Sequence, residues 1–156
     1  MCLSKKIVTE APMKESERDL GRRWFESVWN QGKREAIAEM LSPNALIHDA
    51  GVESRGADGF YAFFDRMNAT FSEVHISIDD SIVEGDRLCV RWLFTAKHTG
   101  NGMGINATGK SVRVTGISIL RVADGMLAEG WQNWDMLGLL QQIQGAPSTT
   151  TYITER

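Results

Sequence analysis

His48, Asp135, Arg91 and the adjacent pair Asp79-Asp80 are the residues whose types suggest chemistry rather than packing. An imidazole at His48 exchanges protons near neutral pH and can polarise a carbonyl. A bond to Asp49 or to the backbone at the rim of a pocket would also account for it. Asp135 directly precedes the apolar run that starts at Met136. That position suits a helix N-cap better than a general base. Arg91 has the donors to bind a substrate carboxylate or enolate, and a cross-strand pair with Asp80 competes for them. Asp79 and Asp80 are neighbours on a strand pattern, so they point to opposite faces and form no dyad. His75 reads as a surface strand residue. His98 closes a strand before a Gly-rich loop. Histidines at 48, 75 and 98 lack the paired spacing of a metal site. The Gly100–Gly104 run follows a strand but opens no helix, so it is no phosphate cradle. Neither a metal nor another cofactor is expected.

These residues need elements to hold them. Leu20, Trp24, Phe25 and Val28 mark one apolar stripe of a helix over residues 15–29, which Gly32 can cap. A short second helix carries Ala36, Ile37, Met40 and Leu41 and stops at Ser42-Pro43. Residues 45–49 read as a short strand and 51–56 as a loop. Phe60, Phe63, Phe64, Met67 and Phe71 recur at helical spacing, and so aromatic a face must be covered by a sheet. Strand patterns follow at 74–84, 87–99, 110–122 and 126–134. Gly85-Asp86 reads as a two-residue turn that sets Asp80 opposite Arg91. The loop at 100–109, rich in Gly and Asn, reads as mobile. Residues 136–144 form a short terminal helix. Helices first and strands after imply an α+β fold with a mostly antiparallel sheet.

The 156 residues make one domain, expected over residues 15–145, with a disordered tail at 1–14 and another at 146–156. With 42% hydrophobic and 24% charged residues, a disordered chain and a disulfide scaffold are excluded. No apolar run approaches the ~20 residues of a membrane span. The net charge of −3, with signs interspersed, excludes a phosphate-tracking surface, so no nucleic acid is expected. The N-terminal segment lacks the apolar core of a signal peptide, which favours the cytoplasm. Cys2 and Cys89 are an improbable disulfide.

The second hairpin serves as a ruler. A type I turn with a glycine bulge at Ala123-Asp124-Gly125 sets Val122 opposite Met126. Ser118 then faces Gly130, and Gly116 faces Gln132. Gly116, Ser118, Leu120, Ala128, Gly130, Gln132 and Trp134 share one face, whose small residues leave room for a ligand. The opposite face carries Ile117, Ile119, Arg121, Glu129, Trp131 and Asn133. That face suits a subunit contact, so a homodimer through it is expected. A two-residue turn would move Trp131 and Asn133 to the other register.

Arg23–Gly32, Ile47-His48-Asp49, Gly56–Phe60, Arg91-Trp92, His98-Thr99-Gly100 and above all Glu129–Gln142 together resemble the SnoaL-like polyketide cyclase family of the NTF2-like superfamily. The resemblance spans residues 19–145. It implies a cone, in which a curved sheet wraps around three N-terminal helices and a deep apolar pocket opens at one end. It also implies cofactor-free proton transfer beside a carbonyl of a polyketide- or terpenoid-like substrate. Aligned on Asp124-Gly125, the family's acid/base aspartate falls at Gln132 and its histidine at Ser118. Gln132 cannot take a proton from carbon. The acid/base role then falls to His48, with Gln132 and Ser118 as donors and Asp135 in reserve. Trp24, Phe60 and Trp134, with Arg91 and Gly116, would contact the substrate. Loss of the family carboxylate keeps a non-catalytic small-molecule binder in view. Arg91 with Asp80 keeps an epoxide-hydrolase-like hydrolase in view.

Overall fold

The stripe at residues 15–29 folds as one helix with two windings. An α-helical part, α1 (Glu15–Arg23), runs into a π-wound part, Trp24–Asn30. Leu20, Trp24, Phe25, Val28 and Trp29 are all buried. Asn30 ends the π-wound turn with its amide locked to one backbone site: its oxygen accepts from Ile76 N–H at 2.6 Å, and its nitrogen donates to Ile76 O at 3.0 Å. The helix end is therefore tied to the sheet as a strand neighbour would be.

The remaining elements are α2 (Glu35–Met40), β1 (Leu41–Asp49), β2 (Val52–Arg55), α3 (Gly56–Thr70), β3 (Phe71–Glu84), β4 (Arg87–His98), β5 (Ser111–Ala123), β6 (Met126–Trp134) and α4 (Met136–Gln144). The computed structural model describes residues 13–49 and 51–145. Of the expected tails at 1–14 and 146–156, residues 1–12 and 146–156, and Cys2 with them, lie outside the described residues. Met13, assigned to the tail by sequence, packs into the core at 7% exposure.

Six strands form one sheet in the order β2-β1-β6-β5-β4-β3. All neighbours are antiparallel except β1 and β6. The segment expected as a loop at 51–56 instead supplies edge strand β2. Val52–Arg55 folds back on β1 after the turn at Gly51 (φ 83°), pairing Asp49 with Val52. Even-numbered residues of β4 and β5, among them Val90, Trp92, Phe94, Val114 and Leu120, are buried under the helices, and their odd-numbered neighbours face outward. Helix α1 lies so close to β4 that a Cβ on Gly21 would meet the Leu88 side chain and force it to shift. Trp24, Trp29, Phe60, Phe63 and Phe64 form an aromatic cluster with ring centroids 5.2–6.1 Å apart. Each such contact contributes about 0.5–1.5 kcal/mol beyond area burial.

The first hairpin has the expected register, with Glu84 opposite Arg87 and Asp80 opposite Arg91. A bulge after Ile78 changes the ion pair, however. Arg91 Nη1 meets Asp79 Oδ2 at 2.9 Å, while Asp80 Oδ1 accepts from Ser81 N–H. The second hairpin corrects the ruler. Asp124 and Gly125 both have positive φ (53° and 74°), a two-residue turn that sets Ala123 opposite Met126. A bulge then absorbs Ala128, so Arg121 meets Glu129 and Ser118 meets Gln132. The short turn and the bulge together displace the register by two residues. Gly130, Gln132 and Trp134 therefore keep the face expected for them, and Trp131 and Asn133 stay on the other.

The loop at 100–109, expected to be mobile, is tied down. Thr108 and Gly109 N–H both donate to His98 O, Gly100 N–H donates to Thr70 O, and Ala107 N–H donates to Asn101 Oδ1. His98 is fully buried beneath it, with Nδ1 3.1 Å from Thr108 Oγ1.

Candidate functional site

Three adjoining voids on the helix side of the sheet share one residue, Gln132. The innermost two are narrow, about 30 Å³ each, room for a water or two. One is walled by Trp29, Phe63, Met67, Trp92 and Trp134. The other is walled by Trp24, Ile47, Phe60 and Leu127. They meet a cleft of about 610 Å³ between β1–β2, α3 and the end of β6. That is the size of a small-molecule site. Its walls include Ile47, Asp49, Phe60, Phe63, Arg66 and Gln132. A larger groove, about 850 Å³, runs between α1 and the β3–β4 hairpin and does not reach Gln132.

The strand pairing explains which polar groups arrive here. β1 lies parallel to β6 with Asp49 beside Gln132 and His48 beside Trp131. Side chains in register on adjacent strands point the same way, about 4.8 Å apart. Ile47 is buried on the inner face, so Asp49, two residues on, shares that face. Trp134 Nε1 donates to Asp49 Oδ1 at 3.0 Å. The second carboxylate oxygen has no hydrogen-bond partner among the described residues. The side-chain bonds on this face are Trp134–Asp49 and Trp92–Ser118, and neither uses the Gln132 amide. A carboxylate with one oxygen fixed and one open thus stands beside an amide open to the same space. Such a pair can take a proton from carbon and donate a hydrogen bond to the oxygen that gains charge.

The candidates from sequence divide between the two faces. Trp24, Phe60, Gln132 and Trp134 line the voids. Ser118 is buried on the same face, but its hydroxyl accepts from Trp92 Nε1 at 2.9 Å, which holds the indole against the void. A Cβ on Gly116 would collide with that indole, so Gly116 makes space for Trp92 rather than for a ligand. Asp135 is exposed, and its carboxylate accepts from Gly138 N–H at 2.8 Å as the N-cap of α4.

His48 does not reach the pocket. It is the odd partner between Ile47 and Asp49, and strand alternation turns it outward. There its Nε2 lies 3.0 Å from Glu129 Oε1, its Nδ1 3.5 Å from Glu53, and its ring stacks on Trp131 at 5.4 Å. The hydrogen bond from His48 holds Glu129 below the usual carboxylate range, against partial desolvation and with help from Arg121 at 3.3 Å. Arg91 is likewise an outer-face residue, and its ion pair with Asp79 accounts for it. Arg91 and Asp80, the pair behind the hydrolase reading, are both exposed and line none of the three voids around Gln132. Among the described residues, no three His, Cys, Asp or Glu side chains converge as a metal site would require.

Asp49 was not singled out from the sequence. Its signal was the alternation itself, because an inward Ile47 commits Asp49 to the same face and His48 to the other.

The chain matches the family model "SnoaL-like polyketide cyclase" over residues 20–143. It is 32% identical over 139 residues to aklanonic acid methyl ester cyclase DnrD of Streptomyces peucetius, covering 85% of this chain and 92% of that protein. Identity is the same to the cyclase DauD of Streptomyces sp. strain C5, with 83% of that protein covered. Among solved structures, TsrD of Streptomyces laurentii has a TM-score of 0.75 at 28% identity, over 85% of this chain and 98% of that one. A SnoaL-like chain from Jannaschia sp. CCS1 shares the fold at a TM-score of 0.79 and 22% identity, over 88% and 97%. The matched span runs from the middle of α1 to the end of α4 and includes every wall of the cavity around Gln132; the chain belongs to the SnoaL-like polyketide cyclase family.

Proposed function

We propose that this chain is a cyclase or isomerase that moves a proton next to a carbonyl of a flat, apolar, polyketide-like substrate, without a cofactor, using Asp49 as the acid/base. The observation that carries the reading is the Asp49 carboxylate, oriented by Trp134 and in register with Gln132 at the mouth of an aromatic cavity. The resemblance puts the amide of Gln132 where the family has its carboxylate, and a carboxylate, Asp49, stands on the adjacent strand. The reaction follows from the two groups. The free oxygen of Asp49 takes a proton from the carbon next to the carbonyl, and Gln132 N–H donates to the enolate oxygen. The enolate carbon bonds to a second carbonyl carbon within the same substrate. The alkoxide formed there receives the proton from Asp49, so the net change is an isomerisation. Trp29, Phe63, Trp92 and Trp134 supply the apolar wall.

We also propose that a second copy packs on the outer sheet face, where Ile82, Ile117 and Ile119 are 66%, 49% and 37% exposed.

A crystal structure with a small aromatic ketone, 2-tetralone, tests the catalytic reading. The expected pose places the ketone oxygen within hydrogen-bond reach of Gln132 and the adjacent carbon beside Asp49. A ketone seated in the cavity with no titratable group near that carbon would leave a binding protein as the better account.

A further inference from the structure

Trp92 is held from two sides. It stands on β4 directly opposite Gly116 of β5. Its six-membered ring lies so close over that glycine that a Cβ there would collide with it. Its Nε1 donates to Ser118 Oγ at 2.9 Å, and the side chain is buried. An indole tied at its polar edge and seated over bare backbone in a packed interior does not swing freely. Beyond it lies one of the two narrow voids, about 30 Å³, which Trp92 walls together with Trp29, Phe63 and Trp134. This void shares Phe63 and Gln132 with the cleft of about 610 Å³. A molecule seated in the cleft therefore reaches the void past Gln132 and meets Trp92 there.

We infer that Trp92 is the stop that limits how deep a substrate enters, and that the substrate carries nothing larger than a short alkyl group beyond the carbonyl that Gln132 receives. The inference rests on the cleft being the substrate site and adds a limit of shape to it. Flat rings fit the cleft, whose volume is that of a small-molecule site. The void has room for a water or two, so no ring fits there while the indole stays. Shortening Trp92 to Leu would free a space lined by Phe25, Met67, Ile76 and Phe94. An apolar cavity of that kind stays dry and accepts a benzene-sized group. Trp92 thus determines specificity, and Ser118 and Gly116 position it.

The test uses two uncharged ketones, 2-acetylnaphthalene and 2-benzoylnaphthalene, with affinities measured by equilibrium dialysis against the full-length protein. They share the ring system and the carbonyl, and they differ in carrying a methyl or a phenyl group beyond it. The unaltered protein is expected to bind the acetyl ketone more tightly by about threefold or more, although the benzoyl ketone is the more apolar. Trp92→Leu is expected to reverse the order and to move the ratio of the two affinities by about tenfold or more, the gain from burying a further ring. Trp92→Phe keeps a smaller ring and is expected to move the ratio the same way by about threefold. If Trp92 serves only to hold the fold, both ketones weaken together and the ratio stays. That outcome, or tighter binding of the benzoyl ketone by the unaltered protein, overturns the inference and leaves the proposed function standing. Failure of the acetyl ketone to bind the unaltered protein removes the cleft as a substrate site, and the proposed function falls with it.

Discussion

On the outer face of β1, β6 and β5, His48, Glu129, Trp131 and Arg121 are bonded or stacked to one another. On the inner face, one residue along each strand, Asp49 and Gln132 border open space. The outer cluster has the residue types usually associated with catalysis, yet its charged groups are paired with one another, and only Glu129 and Trp131 border a void, one of the two narrow inner ones. The inner pair is modest in type and is left with unused bonding capacity beside an aromatic wall. The contrast teaches that unspent hydrogen bonds next to a cavity mark a site better than residue type does.

Substitutions on the two faces should separate accordingly. Asp49→Asn keeps the bond from Trp134 and removes the base, and it is expected to lower turnover by about 10²–10⁴-fold with little change in KM. Gln132→Leu removes the donor to the developing oxyanion and is expected to cost about 10²-fold in kcat. Trp134→Phe keeps the ring and deletes one N–H, leaving Asp49 less well oriented. A fall of roughly tenfold in kcat with KM unchanged is expected, and steady-state kinetics of the three variants gives the ranking. Equal losses from all three would mean that the cavity had deformed.

The outer face is expected to move stability instead. His48→Asn should leave turnover within about twofold of the unaltered protein. Glu129 is held below the ordinary carboxylate range by His48. Its contribution to stability is therefore complete above its unfolded value, about pH 4.3, and is lost as pH falls through the depressed folded value. Glu129→Gln should cost about 0.5–1 kcal/mol near neutral pH, and the difference should vanish in acid. Thermal unfolding of both proteins across pH 3–7 shows whether it does.

Much of this architecture was legible in the chain. The apolar spacing of α3 and the alternation of β4 and β5 reported helices and buried faces directly, because one side of each element is buried along its length. The edge strand β2 was not legible. Val52, Glu53 and Arg55 are exposed, and a strand without a buried face has no pattern to read. The second hairpin has a two-residue turn in place of the expected type I turn with a glycine bulge, and a separate bulge at Ala128 that has no local signal. Its faces came out as expected because the side-chain period is two and the net displacement was two residues. In the sequence His48 outweighs Asp49 because a histidine is the more familiar proton carrier. The choice between them depends on the inward turn of Ile47, a matter of parity rather than chemistry. The pairing of Asp49 with Gln132 required the parallel contact between β1 and β6, which joins strands some eighty residues apart and has no local signature.

The most direct measurement is exchange of the α-protons of 2-tetralone into deuterated water, followed by NMR with the unaltered protein, Asp49→Asn and His48→Asn side by side. The account predicts exchange above the buffer rate with the unaltered protein and with His48→Asn, and exchange at the buffer rate with Asp49→Asn. Exchange that survives loss of Asp49 and disappears with loss of His48 would contradict it and return the chemistry to the outer face.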